Sequence, residues 1–568
     1  MIMKKQISKL FVAAGIVAMA TSCIDDDMID RVDFRNYYKT ETDAQTAING
    51  VYSTLYSFDY HKWSWVIAHP CFEDCMYATG GAANQLSMNA IGGNTSDLTN
   101  PWTALYGAIN AANAVIRYVP EIEFKNENDR NRIIAEAHFL RGFYYYDLVR
   151  LYAGKSGIPL HTEPVEDMSN VYHQDTAAKH VYNLIIDDFK YAAGKNPDGS
   201  LRLPLYKNLQ AEAGRVTNGA AYAYLADVHN TLGEWDLAVK YADTVIRSNQ
   251  YKLIQNYADL WDINLEAAAN DEKIFYVPFY QDKEAAQRTS LGTAVTFLYN
   301  PSGVNLDGTA LSGNPQMKGQ GFNRVQKWFI RFFHDDMENL GYSDGTKSNA
   351  DADLIYKDYR IETTWWRNFK SRNNTTGVLG DKSAYPASGG AHDDWGYIRK
   401  YIDPNGVNNW TNGNDYVRMR FADMYLIQAE AYNELGEYEK ACEAIDKIRE
   451  RARHADGQER QWPKFLSQTR EDNIGRTLSK DEFRWLVFME RGLEFAGENR
   501  RFFDLKRMRK DDNTMMYDYM MNTYIPNMAA KYPAFVNSTT VLAERKKWWP
   551  KPFTEVDRNP GVQQNPGY

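Results

Sequence analysis

The feature that most constrains the fold of this chain is a helical hairpin that its sequence contains twice. In residues 220–247, apolar side chains recur at steps of three and four, stop at Gly233 and then resume, which is typical of two amphipathic helices joined by a turn. Residues 421–453 repeat the pattern around Gly436. In both copies an aromatic residue follows the glycine by two positions and an alanine follows it by five: Trp235, Tyr438, Ala238 and Ala441. The chain is therefore expected to fold around helix pairs.

Each residue type in this pattern has a physical role. The glycine permits a turn, the small alanine lets two helices approach closely, and the aromatic ring fills the gap between them. The pattern resembles the hairpin of a tetratricopeptide-like repeat, in which helix pairs stack to bury a shared face. Because the two copies are not in tandem, we expect a mainly α protein with a large insertion between them and not a plain solenoid.

The composition of the chain limits the classes of function that it can have. The 568 residues carry a net charge of −9, which argues against nucleic acid as a partner. The chain contains 14 Trp and 39 Tyr, more than a core needs, and these residue types favour a recognition surface.

The N-terminus has the pattern of an export signal. Residues 1–22 combine basic residues with an apolar run that is too short to span a bilayer. The run ends before Cys23 in a sequence that resembles a lipobox, so we expect a signal peptide followed by acylation of Cys23; the alternative is an ordinary secretory signal with a chance cysteine. Residues 23–40 form an acidic tether. Its three aspartates from Asp25 resemble the signal that sends Bacteroidetes lipoproteins to the outer face of the outer membrane, or are simply a solvated linker.

The remaining chain divides into three regions. Residues 41–250 are predicted to be helical, with one helix capped by Thr40 and another that has Pro101 at its first position. Residues 251–416 are rich in Gly, Asn, Ser and Asp, and form the predicted loop-rich insertion and ligand face. Residues 417–568 are expected to be helical again.

Charged residues interrupt two of the expected helices. Arg141, Asp147 and Arg150 lie in an otherwise apolar helix, where catalysis is conceivable but paired charges that hold helices together are favoured. Residues 483–507 read as one helix with many acid–base pairs. The Pro-rich segment 548–568 reads as an extended strap over the helices.

Three cysteines remain besides Cys23. Cys71 and Cys75 are four positions apart, which could indicate zinc or a disulfide, but no second His or Cys pair completes a site. We therefore favour buried thiols, including Cys442, and predict no metal or cofactor.

Five sequence blocks carry a resemblance to the SusD/RagB family of Bacteroidetes outer-membrane glycan-binding lipoproteins. The blocks occur in the family's order over essentially the whole mature chain: residues 135–152 (AEAHFLRGFYYYDLVRLY), 214–217 (GRVT), 418–431 (RMRFADMYLIQAEA), 490–507 (ERGLEFAGENRRFFDLKR) and 550–568 (PKPFTEVDRNPGVQQNPGY). The chain departs from the family pattern at Gly492, at residues 497–499 and at Lys551, all of which concern packing.

The resemblance implies a SusD-like fold and a non-enzymatic function. It implies that the protein sits on the cell surface, anchored by lipid to the outer membrane, captures an oligosaccharide and passes it to a SusC-like TonB-dependent barrel. Two alternatives stay open. A helical-repeat scaffold would bind peptides. A glycoside hydrolase would need two carboxylates across a cleft, for which the adjacent pairs Glu73–Asp74 and Asp393–Asp394 are the candidates.

A neutral sugar has apolar C–H faces and a rim of hydroxyl groups, so its site needs flat aromatic rings with amide or charged groups beside them. We set Trp102, Trp235 and Trp485 aside as packing residues because they lie at core spacing in helices. The candidate stacking rings are Trp63, Tyr77, Tyr299, Trp328, Trp366 and Trp395. The candidate partners for hydroxyl groups are Asn84, Arg367 and Asp394.

Overall fold

The computed structural model describes residues 37–78, 91–166, 170–208, 212–265, 270–279, 292–299, 304–305, 321–330, 358–365, 368–372, 379–383, 397–403, 412–455, 457–460, 463–531 and 547–568. Several predicted features lie outside these residues: Cys23, Asn84, Trp366, Arg367, Asp393, Asp394 and Trp395. In the part of the chain that is described, none of the helices has the length and apolar character that a membrane crossing requires.

Most described elements are helices, as predicted. In chain order they are α1 (Glu41–Ser53), α2 (Ser64–Ala68), α3 (Ser96–Tyr118), α4 (Glu127–Tyr152), α5 (Ala178–Ala193), α6 (Asn218–Leu232), α7 (Trp235–Arg247), α8 (Val295–Tyr299), α9 (Lys327–Ile330), α10 (Arg360–Thr364), α11 (Phe421–Leu435), α12 (Tyr438–Ala452), α13 (Lys480–Glu494), α14 (Arg501–Arg507), α15 (Met516–Tyr519), α16 (Ile525–Lys531) and α17 (Phe553–Arg558).

The strands are short and pair antiparallel. They are β1 (Met76–Ala78), β2 (Ile158–Pro159), β3 (Asp175–Thr176), β4 (Lys273–Val277), β5 (Val304–Asn305), β6 (Asn323–Val325), β7 (Asn368–Arg372), β8 (Leu379–Ser383), β9 (Tyr416–Arg420), β10 (His454–Ala455) and β11 (Gln458–Glu459). The pair β4–β9 matters most for the architecture, with Val277 opposite Tyr416 and Lys273 opposite Arg420. Because β4 lies early in the insertion and β9 ends it, the chain leaves and rejoins the helical scaffold at one place.

The two predicted hairpins are present and stack on each other. Gly233 and Gly436 end the first helix of each hairpin with φ of 75° and 78°, a left-handed conformation that glycine adopts without steric cost. Helix α7 packs against α11. Gln428 Nε2 donates to Asp243 Oδ1 over 2.6 Å, which ties the second hairpin to the first. Repeats that are far apart in sequence thus form one continuous helical layer.

The charges of helix α4 form buried ion pairs, as the sequence indicated. Arg141 donates to both carboxylate oxygens of Asp188 over 2.9 and 2.8 Å. Arg418, from β9, donates to both oxygens of Asp147 over 2.9 Å, and Arg150 donates to the same carboxylate over 2.7 Å. These pairs join α4 to α5 and to the strand that ends the insertion.

Two predicted helix boundaries were wrong. Helix α3 begins at Ser96, so Pro101 lies inside it; the first turn is held by Thr95, whose carbonyl oxygen accepts from the Thr99 amide over 3.0 Å. The predicted helix 483–507 is two helices, α13 and α14, separated by a turn in which Gly497 has φ of 77° and Asn499 has φ of 56°.

The turn between α13 and α14 serves a buried cluster of ion pairs. Arg420 contacts Glu272 at 2.8 Å, Glu494 at 2.5 Å and Glu498 at 3.0 Å, and Arg360 contacts Glu494 at 3.0 Å. Burial acts to raise the pKa of Glu494, but the surrounding guanidinium groups lower that pKa below its ordinary value. Glu494 is the last residue of α13 and Glu498 lies in the turn, so the turn itself supplies one carboxylate of the cluster.

The C-terminal segment is a strap with one short helix, α17, in it. Trp549 is fully buried, and its amide donates to the Leu151 carbonyl oxygen over 2.9 Å. Asn565 Nδ2 donates to the carbonyl oxygens of Tyr152 and Trp549 over 2.9 and 2.7 Å. The tail is thereby fastened to the end of α4.

Candidate functional site

Three of the candidate aromatic residues lie in the interior. Tyr77 is 3% exposed, and Tyr299 and Trp328 are fully buried. Tyr299 donates to Asn499 Oδ1 over 2.9 Å and stacks on Tyr401 at a centroid distance of 5.8 Å. A sugar can stack only on a ring face that solvent can reach, so in this conformation these three rings pack the protein and do not form the predicted platform. Trp102, which we set aside as a packing residue, is buried as expected.

Trp63 lies on the surface with a second ring beside it. Its ring stacks on Phe58 with a centroid distance of 5.7 Å and an interplanar angle of 8°. Phe58 is 47% exposed, and Trp63 is half-buried. We call this pair of parallel rings the Phe58–Trp63 platform.

The local backbone explains why residues five positions apart stack. Residues Phe58–Lys62 form a single wide helical turn that is kinked at Tyr60, where φ is −131° and ψ is −112°. Tyr60 is fully buried and its hydroxyl donates to Asp147, while His61 Nδ1 lies 3.1 Å from the Leu55 carbonyl oxygen. The interior residues of the turn are thus anchored to the core, while Phe58 at its start and Trp63 directly after it lie at the surface.

Polar groups surround the platform. Trp63 Nε1 donates to Asp97 Oδ1 over 3.0 Å, and Asn100 Nδ2 donates to Asp59 Oδ1 over 2.8 Å. Burial raises the pKa of Asp97, and the nearby Asp59 charge adds to that rise, whereas the hydrogen bond from Trp63 opposes it. Asp59, Asp97 and Asn100 are each half-buried, so the platform combines aromatic faces with carboxylate and amide groups.

The sequence indicated only Trp63 among these residues. Phe58 and Asp59 precede it in the same turn and could have been found from that proximity. Asp97 and Asn100 come from the start of α3, and only the tertiary fold brings them to the platform. Their oxygen and nitrogen atoms can bond hydroxyl groups, and the two rings can cover a C–H face, which is the combination that recognition of a neutral sugar requires.

Of the two carboxylate pairs considered for glycoside hydrolysis, only Glu73–Asp74 lies within the described residues. This pair does not form a catalytic site. Glu73 and Asp74 are 2% and 0% exposed. Arg501 donates to both oxygens of Asp74 over 2.8 Å. Burial, with the neighbouring Asp74, raises the pKa of Glu73 to about 8. Two buried carboxylates on adjacent residues cannot flank a glycosidic bond.

The cysteines agree with the prediction of buried thiols. Cys71, Cys75 and Cys442 are buried and form no disulfide among the described residues. Cys75 Sγ lies 3.7 Å from Glu73 Oε2. Across the described ranges, no three His, Cys, Asp or Glu side chains are grouped as a metal ion would require.

The fold places the chain among mainly α proteins built on stacked helix pairs. A family model described as "SusD family" matches residues 271–568, and one described as "Starch-binding associating with outer membrane" matches residues 31–229. The chain belongs to the SusD family. Members of this family bind glycans without catalysis, so the protein is not an enzyme.

Relatives extend over nearly the whole chain. A SusD-like protein of Formosa agariphila, designated P2, is 25% identical over 98% of this chain and 99% of its own length. A SusD homologue from Bacteroides thetaiotaomicron has a TM-score of 0.72 at 20% identity, covering 95% of this chain and 99% of that one. A surface glycan-binding protein A from Bacteroides uniformis has a TM-score of 0.67 at 22% identity, with coverage of 93% and 99%. A laminarin-binding SusD-like protein has a TM-score of 0.65 at 22% identity, with coverage of 94% and 100%.

Proposed function

We propose that this protein binds an oligosaccharide without turning it over, and that the Phe58–Trp63 platform is part of the binding surface. The observation that carries the proposal is the parallel pair of rings beside Asp97 and Asn100. Family membership supports it, as do the names of two structural neighbours, one laminarin-binding and one glycan-binding. The candidates Asn84, Trp366, Arg367, Asp394 and Trp395 stay predictions for the same surface.

The proposal includes a location and a partner. Residues 1–22 direct export, and acylated Cys23 anchors the protein to the outer membrane with its folded body facing the cell exterior. The bound oligosaccharide passes to a SusC-like TonB-dependent barrel, because a binding protein tethered outside the cell needs a route inward for its cargo. The support for these statements is the N-terminal sequence and the words "associating with outer membrane" in one family description.

The experiment is a glycan array probed with the protein lacking residues 1–23, followed by incubation with each bound glycan and chromatographic analysis of the products. We expect one glycan class to be retained without new reducing ends. New products would support the hydrolase alternative. Retention of peptides with no glycan affinity would support the scaffold alternative, and either result would contradict the proposal.

The partner is tested separately by purification in mild detergent from the native membrane. A much larger β-barrel protein should co-purify. Repeated recovery of the protein alone, even after crosslinking, would refute the partnership without affecting glycan binding.

A further inference from the structure

A cavity of about 330 Å³ lies where the first hairpin meets the C-terminal helices and the tail. Its wall is formed by the turn at Gly233, the end of α11, the start of α13, residues 503–509 and residues 547–548. It has no lining residue in common with the Phe58–Trp63 platform. Its volume is at the lower end of the range of small-molecule sites, about 300–1,000 Å³.

The charge of the cavity wall is opposite to that of the chain as a whole. Two carboxylates line the cavity, Glu430 and Glu434, in a protein whose net charge is −9. Six cationic side chains line it: Arg150, Arg484, Lys506, Arg507, Arg509 and Lys547. An excess of positive charge in a concave wall attracts anions.

Both carboxylates are already paired within the wall. Glu430 accepts two hydrogen bonds from Arg507 Nη1, each of 2.8 Å. Glu434 accepts from Arg484 over 2.6 and 2.8 Å. Carboxylates behind the wall also pair with three of the cations: Arg484 contacts Asp481 and Asp512, Arg507 contacts Asp504, and Arg150 contacts Asp147 and Asp227. The positive charge available to a ligand therefore comes from the cations that remain.

Three of the remaining cations have weak or uncharged partners. Within the described part of the chain, the Lys506 ammonium makes no ion pair; it donates to the Arg150 carbonyl oxygen and lies 3.8 Å from the centroid of the Trp548 ring. Lys547 lies 3.4 Å from Asp518, whose side chain is 47% exposed. Arg509 Nη1 donates to the Asp512 carbonyl oxygen over 2.9 Å. Burial and the charges of Arg150 and Lys547 hold the pKa of Lys506 well below its ordinary value, so an anion here would relieve a repulsion among cations.

Aromatic rings complete the wall. Trp235, Trp548, Tyr182 and Phe503 line the cavity beside the cations. A sugar ring presents an apolar C–H face to such side chains, and a carboxylate on the same ring would meet the ammonium and guanidinium groups. We propose that this cavity is a second binding site, distinct from the platform, for a carboxylate-bearing sugar of about one residue, a hexuronate. The choice of a sugar rests on the proposed glycan-binding function, whereas the choice of a carboxylate rests on the cavity wall alone.

The test is a titration of the protein lacking residues 1–23 with glucuronate, glucose and acetate, in which binding is measured by calorimetry or ligand-observed NMR. Glucuronate should bind saturably, and glucose and acetate should each bind at least about tenfold more weakly, because each lacks one of the two recognised features. Lys506→Met should weaken glucuronate binding about tenfold or more, and the exposed-lysine control Lys179→Met should leave it unchanged. Glucuronate binding no tighter than glucose binding, or unchanged binding by Lys506→Met, would overturn the proposal.

Two further arms keep the result interpretable. If Lys506→Met does not fold, the double variant Arg509→Gln/Lys547→Gln, at two more accessible positions, must show the same loss or the proposal is wrong. Trp63→Ala should retain glucuronate binding, so loss in that variant would place the acidic sugar at the platform and refute the second site while leaving glycan binding intact. If a short peptide with a free C-terminal carboxylate binds more tightly than glucuronate, the proposal that the cavity binds a sugar is wrong.

Discussion

At the residue scale, the charged side chains of this protein are mostly structural. Arg141, Asp147 and Arg150 could have been read as catalytic, yet each contacts an oppositely charged group in the interior. Glu73 differs from these because its Oε1 atom is buried with no hydrogen-bond partner among the described residues, and its neighbour Asp74 is paired with Arg501. An ionised Glu73 would be costly in this environment, so the folded protein favours the protonated acid.

This difference predicts a pH dependence of stability. The pKa of Glu73 is raised from 4.5 to about 8 in the folded protein. Between these values the folded protein keeps a proton that the unfolded chain has released, so the contribution of Glu73 to the free energy of unfolding falls as pH rises, by up to about 1.4 kcal/mol per pH unit. Glu73→Gln should therefore gain stability relative to the parent as pH rises from 5 to 8.

Urea unfolding at pH 5, 6, 7 and 8 measures this effect. The exposed-residue control Glu123→Gln should follow the parent at every pH. Parallel curves for Glu73→Gln and the parent would show that Glu73 does not keep its proton in the folded protein.

At the element scale, the hairpins were predictable because their signal is local. Helix spacing, the turn glycine and the following aromatic residue all lie within about thirty residues of sequence. The break between α13 and α14 falls at Gly497 and Asn499, both of which have positive φ, and the helical spacing of the acid–base pairs in residues 483–507 concealed this local signal. The platform depends on the tertiary fold instead: Trp63 was visible in the sequence, but its partner Asp97 comes from a different helix.

Two glycine-to-alanine substitutions, one in a hairpin turn and one inside a helix, are expected to change the free energy of unfolding in opposite directions. Gly436 has φ of 78°, and a Cβ atom there would meet no atom within 4 Å, so Gly436→Ala tests backbone conformation alone. The left-handed conformation costs a non-glycine residue about 1–2 kcal/mol, and we expect the free energy of unfolding to fall by that amount. Gly107 lies inside α3, also with open space around its Cβ position. Gly107→Ala should raise the free energy of unfolding by about 0.5–1 kcal/mol.

Both variants are compared with the parent by urea unfolding. Equal effects of the same sign would mean that the turn at Gly436 relaxes to accept a side chain, and that the hairpin does not depend on a left-handed glycine.

At the scale of the whole molecule, the protein is a helical scaffold that carries loops, and its C-terminal segment is hydrogen-bonded to the end of α4. The sequence was sufficient for the fold class because blocks over the whole mature chain resemble one family. It was insufficient for the site, because Trp and Tyr serve the core and the surface equally well. Tyr299 and Trp328 lie in the core, whereas Phe58, which we did not predict from the sequence, is exposed.

The proposed lipid anchor gives a prediction for the intact protein in its cell. A single acyl chain binds membranes only marginally, so stable anchoring needs the several chains of a lipoprotein at Cys23. Cys23→Ala should therefore shift the protein from the membrane fraction to the soluble fraction and remove it from the protease-accessible cell surface. Unchanged processing and membrane retention of this variant would contradict acylation at Cys23.

The central claim is that the Phe58–Trp63 platform binds glycan, and calorimetric titration of ring-removal variants tests it most directly. With the glycan found by the array, Phe58→Ala and Trp63→Ala should each lose about 1–3 kcal/mol of binding free energy, as stacking residues at a hot spot do. Their melting temperatures should stay close to that of the parent, because Phe58 is exposed and Trp63 is half-buried. Tyr172→Ala removes a ring that is 46% exposed elsewhere and should bind as the parent does. If both platform variants bind as the parent does, or lose binding only by unfolding, the glycan site lies elsewhere.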